Sequence, residues 1–215
     1  CFFQDWKPEQ LADIAGDFAV GLTDAQGRTI LAIDRFAVRS LCYRVVGGQL
    51  RFAERADDLA DANTEIDPQA IYNYFYFHII PSPGTIYRGI HRLPPGHYAI
   101  FDKGELRVQR YWLPEFIELR DPSFEALRGE FRDLLHKAVA DQLDGSKPAC
   151  FLSGGTDSST IAGMIGEVCG QPADTYSIGF EAEGYDEMEF ARIAARKFGA
   201  RHHEYYVTPD DLVRS

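Results

Sequence analysis

The feature that most restricts the fold is a change of period near residue 150. Ala149–Leu152 is short and apolar, which suits a buried parallel strand. It runs through Ser153-Gly154-Gly155-Thr156-Asp157-Ser158-Ser159 into a helical pattern, with Ile161, Ile165 and Val168 on one face and Gly170 just past the end. Thr175–Phe180 reads as the next strand. Asp186 and Glu189 have the spacing of a capping box opening a second helix, whose apolar face includes Phe190, Ile193 and Ala194 and which ends at Gly199. Glu204–Val207 reads as a third strand. Strand–helix–strand–helix–strand predicts an α/β arrangement with a parallel, doubly wound sheet.

The preceding residues have a different rhythm. Phe18–Thr23 and Thr29–Ile33 flank the turn Asp24–Gly27, and Cys42–Val46 and Gln49–Ala53 flank Gly47-Gly48, so two hairpins are expected. Asp67-Pro68 marks a helix start leading into the aromatic-rich Ile71–His78, and Pro81-Ser-Pro-Gly84 breaks the chain. A further strand pair is expected at His97–Phe101 and Leu106–Tyr111, across Asp102-Lys-Gly104. Asp121-Pro122-Ser123 is the next boundary. Phe124, Leu127, Phe131, Leu134, Leu135 and Ala138 then recur at helical spacing to about Leu143.

With 215 residues, 45% of them hydrophobic and 26% charged, the chain can build a sizeable core in one large domain or two small ones. A net charge of −11 with no Lys- or Arg-rich run argues against nucleic-acid binding. The four cysteines form no CxxC pair, so a zinc knuckle or thioredoxin-like site is not expected and free thiols in a reducing cytoplasm are. No apolar stretch approaches the ~20 residues that span a bilayer, so no membrane association is expected.

The loop Ser153–Ser159 carries the chemistry. Glycines let the backbone approach a ligand closely, and a helix start presents unpaired N–H groups to an anion. Ser153, Ser158 and Ser159 add hydroxyl donors. Asp157 alone would repel phosphate, so its presence calls for a bridging divalent cation, for which Mg2+ is suited. The Lys of a Walker loop is missing, and the string is not GxGxxG.

This string resembles the pyrophosphate loop of N-type ATP pyrophosphatases, and among these it is most similar to asparagine synthetases (glutamine-hydrolysing). Tyr176-Ser-Ile-Gly-Phe180, Tyr185-Asp-Glu187 and Phe198-Gly-Ala-Arg-His-His-Glu204 are similar to family segments. So are the stretches from Pro81 to Ile90 and from Arg92 to His97, and Asp34-Arg35-Phe36. The resemblance implies a partial Ntn-type glutaminase domain, mainly antiparallel and β-rich, with a connecting segment at 1–115, and a partial ATP-pyrophosphatase domain at 121–215. It implies that Ser153, Gly154, Gly155, Ser158 and Ser159 hold the ATP phosphates, that Asp157 binds Mg-pyrophosphate, and that Leu152 and Ile178 contact the adenosine. The implied reaction activates a carboxylate, aspartate foremost, as an acyl-adenylate for attack by ammonia from glutamine. The implied compartment is the cytoplasm, and a homodimer is compatible.

Several positions depart from the family's pattern. Thr156 stands where Leu is usual. Within Asp34–Tyr43, Ala37 replaces a Gly and Ser40 a Pro. The family's catalytic Cys is followed by Gly-Ile, whereas Cys1 is followed by Phe2-Phe3, so Cys1 is not read as the nucleophile and no catalytic residue is assigned within these residues. His202 and His203, adjacent on a strand, point to opposite faces and are read as structural. Phe75, Tyr76 and Phe77 are expected to pack on the N-terminal sheet. The acidic Glu181–Glu189 is read as a solvated loop and helix start. A β-lactam- or lasso-peptide-forming cyclase on the same scaffold and a non-catalytic remnant stay open beside the synthetase reading. A tRNA-modifying relative is disfavoured by the acidic charge.

Overall fold

The computed structural model describes residues 8–118, 123–143, 145, 147–180, 186–208 and 210–211. Cys1, Asp121-Pro122 and Glu181–Tyr185 lie outside them. The chain divides into two compact units, Cys1–Ile117 and Glu118–Ser215.

The first unit is built from hairpins. β1 (Ala19–Thr23) and β2 (Thr29–Ile33) pair antiparallel, with Gly21 opposite Leu31. Asp24 holds their turn, its Oδ1 accepting from the N–H groups of Gln26 (3.0 Å) and Arg28 (2.9 Å). β3 (Cys42–Val46) and β4 (Gln49–Ala53) pair across Gly47 and Gly48, whose φ values of 57° and 74° are what a two-residue turn of the right twist requires. β5 (His91–Arg92) adds to β3, and β6 (His97–Asp102) pairs with β7 (Glu105–Arg110). Two antiparallel sheets result, ordered β1-β2-β6-β7 and β4-β3-β5. Leu31 and Ile33 of β2, Ala99 of β6 and Tyr43 of β3 meet with Leu41 and Leu93 in one core. The opposite side of β2 is covered as well, because Ala32 packs with Tyr98 and with Leu11 from a short 3-10 turn.

α1 (Pro68–Phe77) starts where the sequence places it. Asp67 is the N-cap, accepting from the Gln69 N–H at 3.0 Å, and Pro68 is the first helical residue. The expected packing of its aromatics on the sheet is not found: Phe75, Tyr76 and Phe77 are exposed, Phe75 by 76%. Aromatic residues at four successive positions encircle a helix, so one buried stripe cannot take them all, and Ala70 is the one buried residue. The rings pack on each other instead, Tyr76 edge-on to Phe77 with centroids 4.7 Å apart.

The second unit begins with α2 (Phe124–Gln142), capped by Ser123, whose hydroxyl accepts from the Ala126 N–H at 3.4 Å. β8 (Ala149–Phe151), α3 (Thr156–Cys169), β9 (Asp174–Phe180), α4 (Met188–Phe198) and β10 (Arg201–Val207) then alternate. All strand pairs are parallel, in the order β10-β9-β8. That order has no reversal, and α3 and α4 pack on each other, so the described strands show a single winding with both crossovers on one face. Leu152, Ala162, Ala191, Ala194 and Ala195 form the core under those helices.

Four expectations change here. Among the described strands β8 lies at the edge, with Leu152 buried but Phe151 exposed. With helices on one face only, alternate side chains of the sheet stay open, and Tyr176, Ile178, Phe180 and Tyr205 do likewise. Asp186 and Glu189 form no capping box: the N-cap is Glu187, without a side-chain cap, while Asp186 accepts from the Met188 N–H (3.2 Å) and the Tyr206 hydroxyl (3.1 Å). The buried face of α4 is Met188, Ala191, Ala194 and Ala195, and Phe190 and Ile193 are exposed, because small residues allow the close approach to α3. The apolar stripe of α2 is also unburied, although Leu135 and Ala138 line a cavity of about 570 Å³ shared with α3 and β8.

Candidate functional site

The loop after β8 is held in place by its neighbours on both sides. The Leu152 N–H donates to the Tyr176 carbonyl at 2.8 Å, and the Ser177 hydroxyl donates to the Leu152 carbonyl. Leu152 is 1% exposed, with its side chain among the alanines of the helix-covered core. Its side chain therefore does not present itself to a ligand at the surface. Ile178 does: it is half exposed on β9, and continuing the register past Phe151↔Tyr176 sets it opposite Ser153.

Gly154 and Gly155 differ in kind. Gly154 has φ 82°, and a Cβ there would lie 2.3 Å from the Phe190 carbonyl carbon and 2.4 Å from the Ala191 nitrogen. The loop thus lies directly against the backbone of α4, a contact between residues 36 apart that no local pattern reveals. Gly155, the N-cap of α3, has φ −69°, and a Cβ there would meet only Ser153 Oγ at 3.4 Å. Its surface is open to a ligand.

The hydroxyls converge on this opening. Ser153 Oγ and Ser158 Oγ are 3.0 Å apart, the Ser153 N–H donates to Ser158 Oγ at 3.2 Å, and the Gly155 N–H donates to Ser153 Oγ at 3.3 Å. No side chain caps α3, so the first N–H groups of the helix and its positive dipole end face outward. Asp157 is the acid of the first turn. Ser159 is placed differently from the other two serines: its hydroxyl is buried and has no partner, so it does not line the open face. Thr156 is exposed, and its carbonyl accepts from the Thr160 hydroxyl at 2.7 Å. Among the described residues no group of three His, Cys, Asp or Glu is disposed to hold a metal ion. A cation here would rest on Asp157 and on the oxygens of a bound phosphate.

In the first unit, Asp34 organises the segment that departs from the family's pattern. Its Oδ1 accepts from the N–H groups of Phe36 (3.0 Å) and Val38 (3.1 Å), and Oδ2 from that of Arg39 (3.0 Å). Burial works to raise its pKa, but these backbone hydrogen bonds outweigh burial and hold the carboxyl below its usual range. Ala37 has φ 53°, a left-handed conformation that explains why glycine suits this position. The Cys42 and Cys150 thiols are both pushed up in pKa, burial being the leading cause, so neither is an activated nucleophile.

Residues 1–112 match the family model described as glutamine amidotransferase domain, and residues 130–215 match that described as asparagine synthase. The chain belongs to the glutamine-hydrolysing asparagine synthetase family. It is similar to asparagine synthetase [glutamine-hydrolyzing] 1 of Bacillus subtilis, 26% identical over 98% of this chain and 34% of that protein. It is 30% identical, over the same shares, to a Mycobacterium tuberculosis protein provisionally named asparagine synthetase [glutamine-hydrolyzing]. It is also 30% identical to the carboxyethyl-arginine beta-lactam-synthase of Streptomyces clavuligerus, over 58% of this chain and 24% of that protein. The chain thus spans about a third of the length of the two synthetases it matches. Ser153–Ser159 lies within the asparagine synthase match. No helix among the described residues is long and apolar enough to cross a membrane.

Proposed function

We propose that Ser153–Ser159 binds the phosphates of ATP, and that Asp157 would hold the Mg2+ that accompanies them. We further propose that the protein is an ATP-dependent, amide-forming ligase acting in the cytoplasm. The supporting observation is the uncapped start of α3, where Gly155 leaves the backbone accessible and Ser153 and Ser158 direct hydroxyls to the same opening. The carboxylate oxygen of the acceptor would attack the α-phosphorus, displacing pyrophosphate onto this loop. The nitrogen of ammonia, released from glutamine, would then attack the acyl carbon and displace AMP. The chain's part in this is to bind and orient. Backbone N–H groups and the helix dipole would stabilise the charge that builds on the leaving pyrophosphate, and Asp157 would hold the cation that neutralises it. Gly154 and Gly155 are the loop's backbone contribution, and Ile178 supplies an apolar edge for the nucleoside. Aspartate is the acceptor favoured by the two synthetase relatives.

A second reading is ring closure on the same activated acyl group, by an amine of the acceptor itself rather than ammonia. The similarity to a β-lactam synthase favours keeping it.

Calorimetry with ATP, with and without Mg2+, tests the loop. Binding is expected only with Mg2+, and Asp157→Ala is expected to weaken it at least about tenfold, or ~1.4 kcal/mol. Equal affinity in parent and variant would refute the role of Asp157. No binding by the parent would refute the nucleotide reading for this chain.

A further inference from the structure

β10 carries one side chain that the reading above does not use, half-buried, with one ring nitrogen buried and unpartnered. His202 faces the helix-covered side of the sheet, its Nδ1 3.0 Å from Oγ1 of the fully buried Thr175 on β9. Its Nε2 is buried and has no hydrogen-bond partner. Glu204 Oε1 lies 3.7 Å from it, too far to bond. That carboxylate is already engaged by both ends of a guanidinium, with Arg192 Nε donating to Oε1 at 2.8 Å and Nη2 donating to Oε2. Arg192 immediately follows the Phe190–Ala191 peptide, the backbone against which Gly154 lies.

We propose that His202 is a positioning residue for the Ser153–Ser159 loop, acting through Glu204, Arg192 and the start of α4, and that its protonation displaces the loop. A neutral imidazole tolerates one unpartnered nitrogen; an imidazolium has two donors and must satisfy both. Thr175 serves Nδ1. Leaving a buried N–H+ without an acceptor is costly, so the Glu204 carboxylate has to close by roughly 0.8 Å to reach hydrogen-bond distance. It does so by leaving the Arg192 Nε or by drawing Arg192 with it. Either way the constraint on the first turn of α4 changes, and Gly154, with no space between itself and residues 190 and 191, follows.

The charged and titratable groups around the ring come from two elements. Arg192 approaches from α4 and Glu204 from β10, and His203 is the neighbour on the opposite face of β10. β9 contributes the neutral Thr175. Burial is the main influence and lowers the His202 pKa from its ordinary 6.5; Glu204 pulls it up, and Arg192 and His203 push it down. The ring is therefore neutral at pH 7, and the device acts on the acid side of the ordinary histidine range. The linkage is a property of the free chain. Only its consequence for ligand affinity rests on the nucleotide reading.

Nuclear magnetic resonance over pH 8 to 4.5 tests the linkage directly. The His202 ring is expected to titrate below 6.5, and the amide resonances of Gly154 and Ala191 to shift with the same midpoint. In His202→Asn, which can keep a hydrogen bond to Thr175, the loop shift is expected to vanish. In Glu204→Gln the ring midpoint is expected to fall further and the loop shift to be lost. In Arg192→Met the midpoint is expected to rise. Loop amides that ignore the His202 titration, or that follow it unchanged in Glu204→Gln, would overturn the proposal. Calorimetry with MgATP on both sides of the midpoint adds the consequence: affinity lost on the acid side in the parent and unchanged by pH in His202→Asn. If the parent binds no ATP at either pH, the nucleotide reading fails while the amide shifts still decide the linkage.

Discussion

Two adjacent glycines with opposite tolerances give the sharpest test of the loop geometry. In Gly154→Ala the new side chain sits at φ 82°, a conformation costing an L-residue about 1–2 kcal/mol. Its Cβ would also lie 2.3 Å and 2.4 Å from two backbone atoms of α4, a helix fixed by the buried Ala191, Ala194 and Ala195. Neither atom is the end of a flexible side chain, so loop or helix must shift, at an overpacking cost of about 1–3 kcal/mol. The reduced entropy of the unfolded chain returns about 0.5–1 kcal/mol. The net destabilisation is about 3 kcal/mol. Gly155→Ala carries no such penalty, because φ is −69° and the nearest atom is a hydroxyl at 3.4 Å. Losing Gly for Ala at an N-cap roughly cancels the entropic gain, so stability is expected to stay within about 0.5 kcal/mol. Urea unfolding followed by far-ultraviolet circular dichroism separates the two, since three of the four described α-helices belong to this unit. At a slope near 2 kcal/mol per molar, Gly154→Ala should lower the midpoint by about 1.5 M. A Gly154→Ala midpoint equal to the parent's, or a Gly155→Ala midpoint lowered as far, would refute the close approach of loop and α4.

A third variant tests the ligand: Gly155→Val, which puts a side chain above the opening, is expected to lose Mg-dependent ATP binding in calorimetry. Ala37→Gly relieves a residue at φ 53° at the cost of unfolded-state entropy, for a net gain of about 0.5 kcal/mol in urea unfolding. Asp34 and Asp174 both sit below the usual carboxylate pKa, Asp34 because backbone N–H groups outweigh burial, Asp174 chiefly through Lys147, with Arg201 in support. Depressed folded values mean stability present above the unfolded pKa of about 3.9 and lost as pH falls through the folded values, so thermal midpoints should hold at pH 5 to 7 and fall steeply below about 4.

Where the signal is local, the sequence and the structure agree. The hairpins at Asp24–Gly27 and Gly47-Gly48 form as read, because the turn chemistry sits in the turn: an aspartate that accepts its own loop's N–H groups, and glycines at positive φ. The Asp67-Pro68 and Ser123 helix starts are likewise local hydrogen bonds. His202 and His203 point to opposite sides of β10, as the strand period demands: the first is half-buried against Thr175 and the second is stacked on Tyr176 with ring centroids 4.7 Å apart. The loop Ser153–Ser159 sits between strand and helix as read.

What escaped is decided by partners distant in sequence. Period 3.6 identifies a stripe but not which neighbour covers it, so Phe190 and Ile193 looked like the face of α4 although its contact with α3 is made by alanines. Hydrophobicity ranks phenylalanine above alanine for burial, yet a closely packed helix pair selects small residues, and the large ones then remain outside. The same limit applies at the site. Ser159 and Ser153 are indistinguishable as letters, but the first turn of α3 carries the Ser159 hydroxyl into the interior while Ser153 stays at the opening. Leu152, the last buried residue before the loop, gives its side chain to the helix core and its backbone to β9, so what it offers the site is position rather than contact. A motif therefore names the residues of a loop more completely than it names the atoms available to a ligand. The difference is set by α4, through a helix-to-loop contact that the string Ser-Gly-Gly contains only as the absence of a side chain at Gly154.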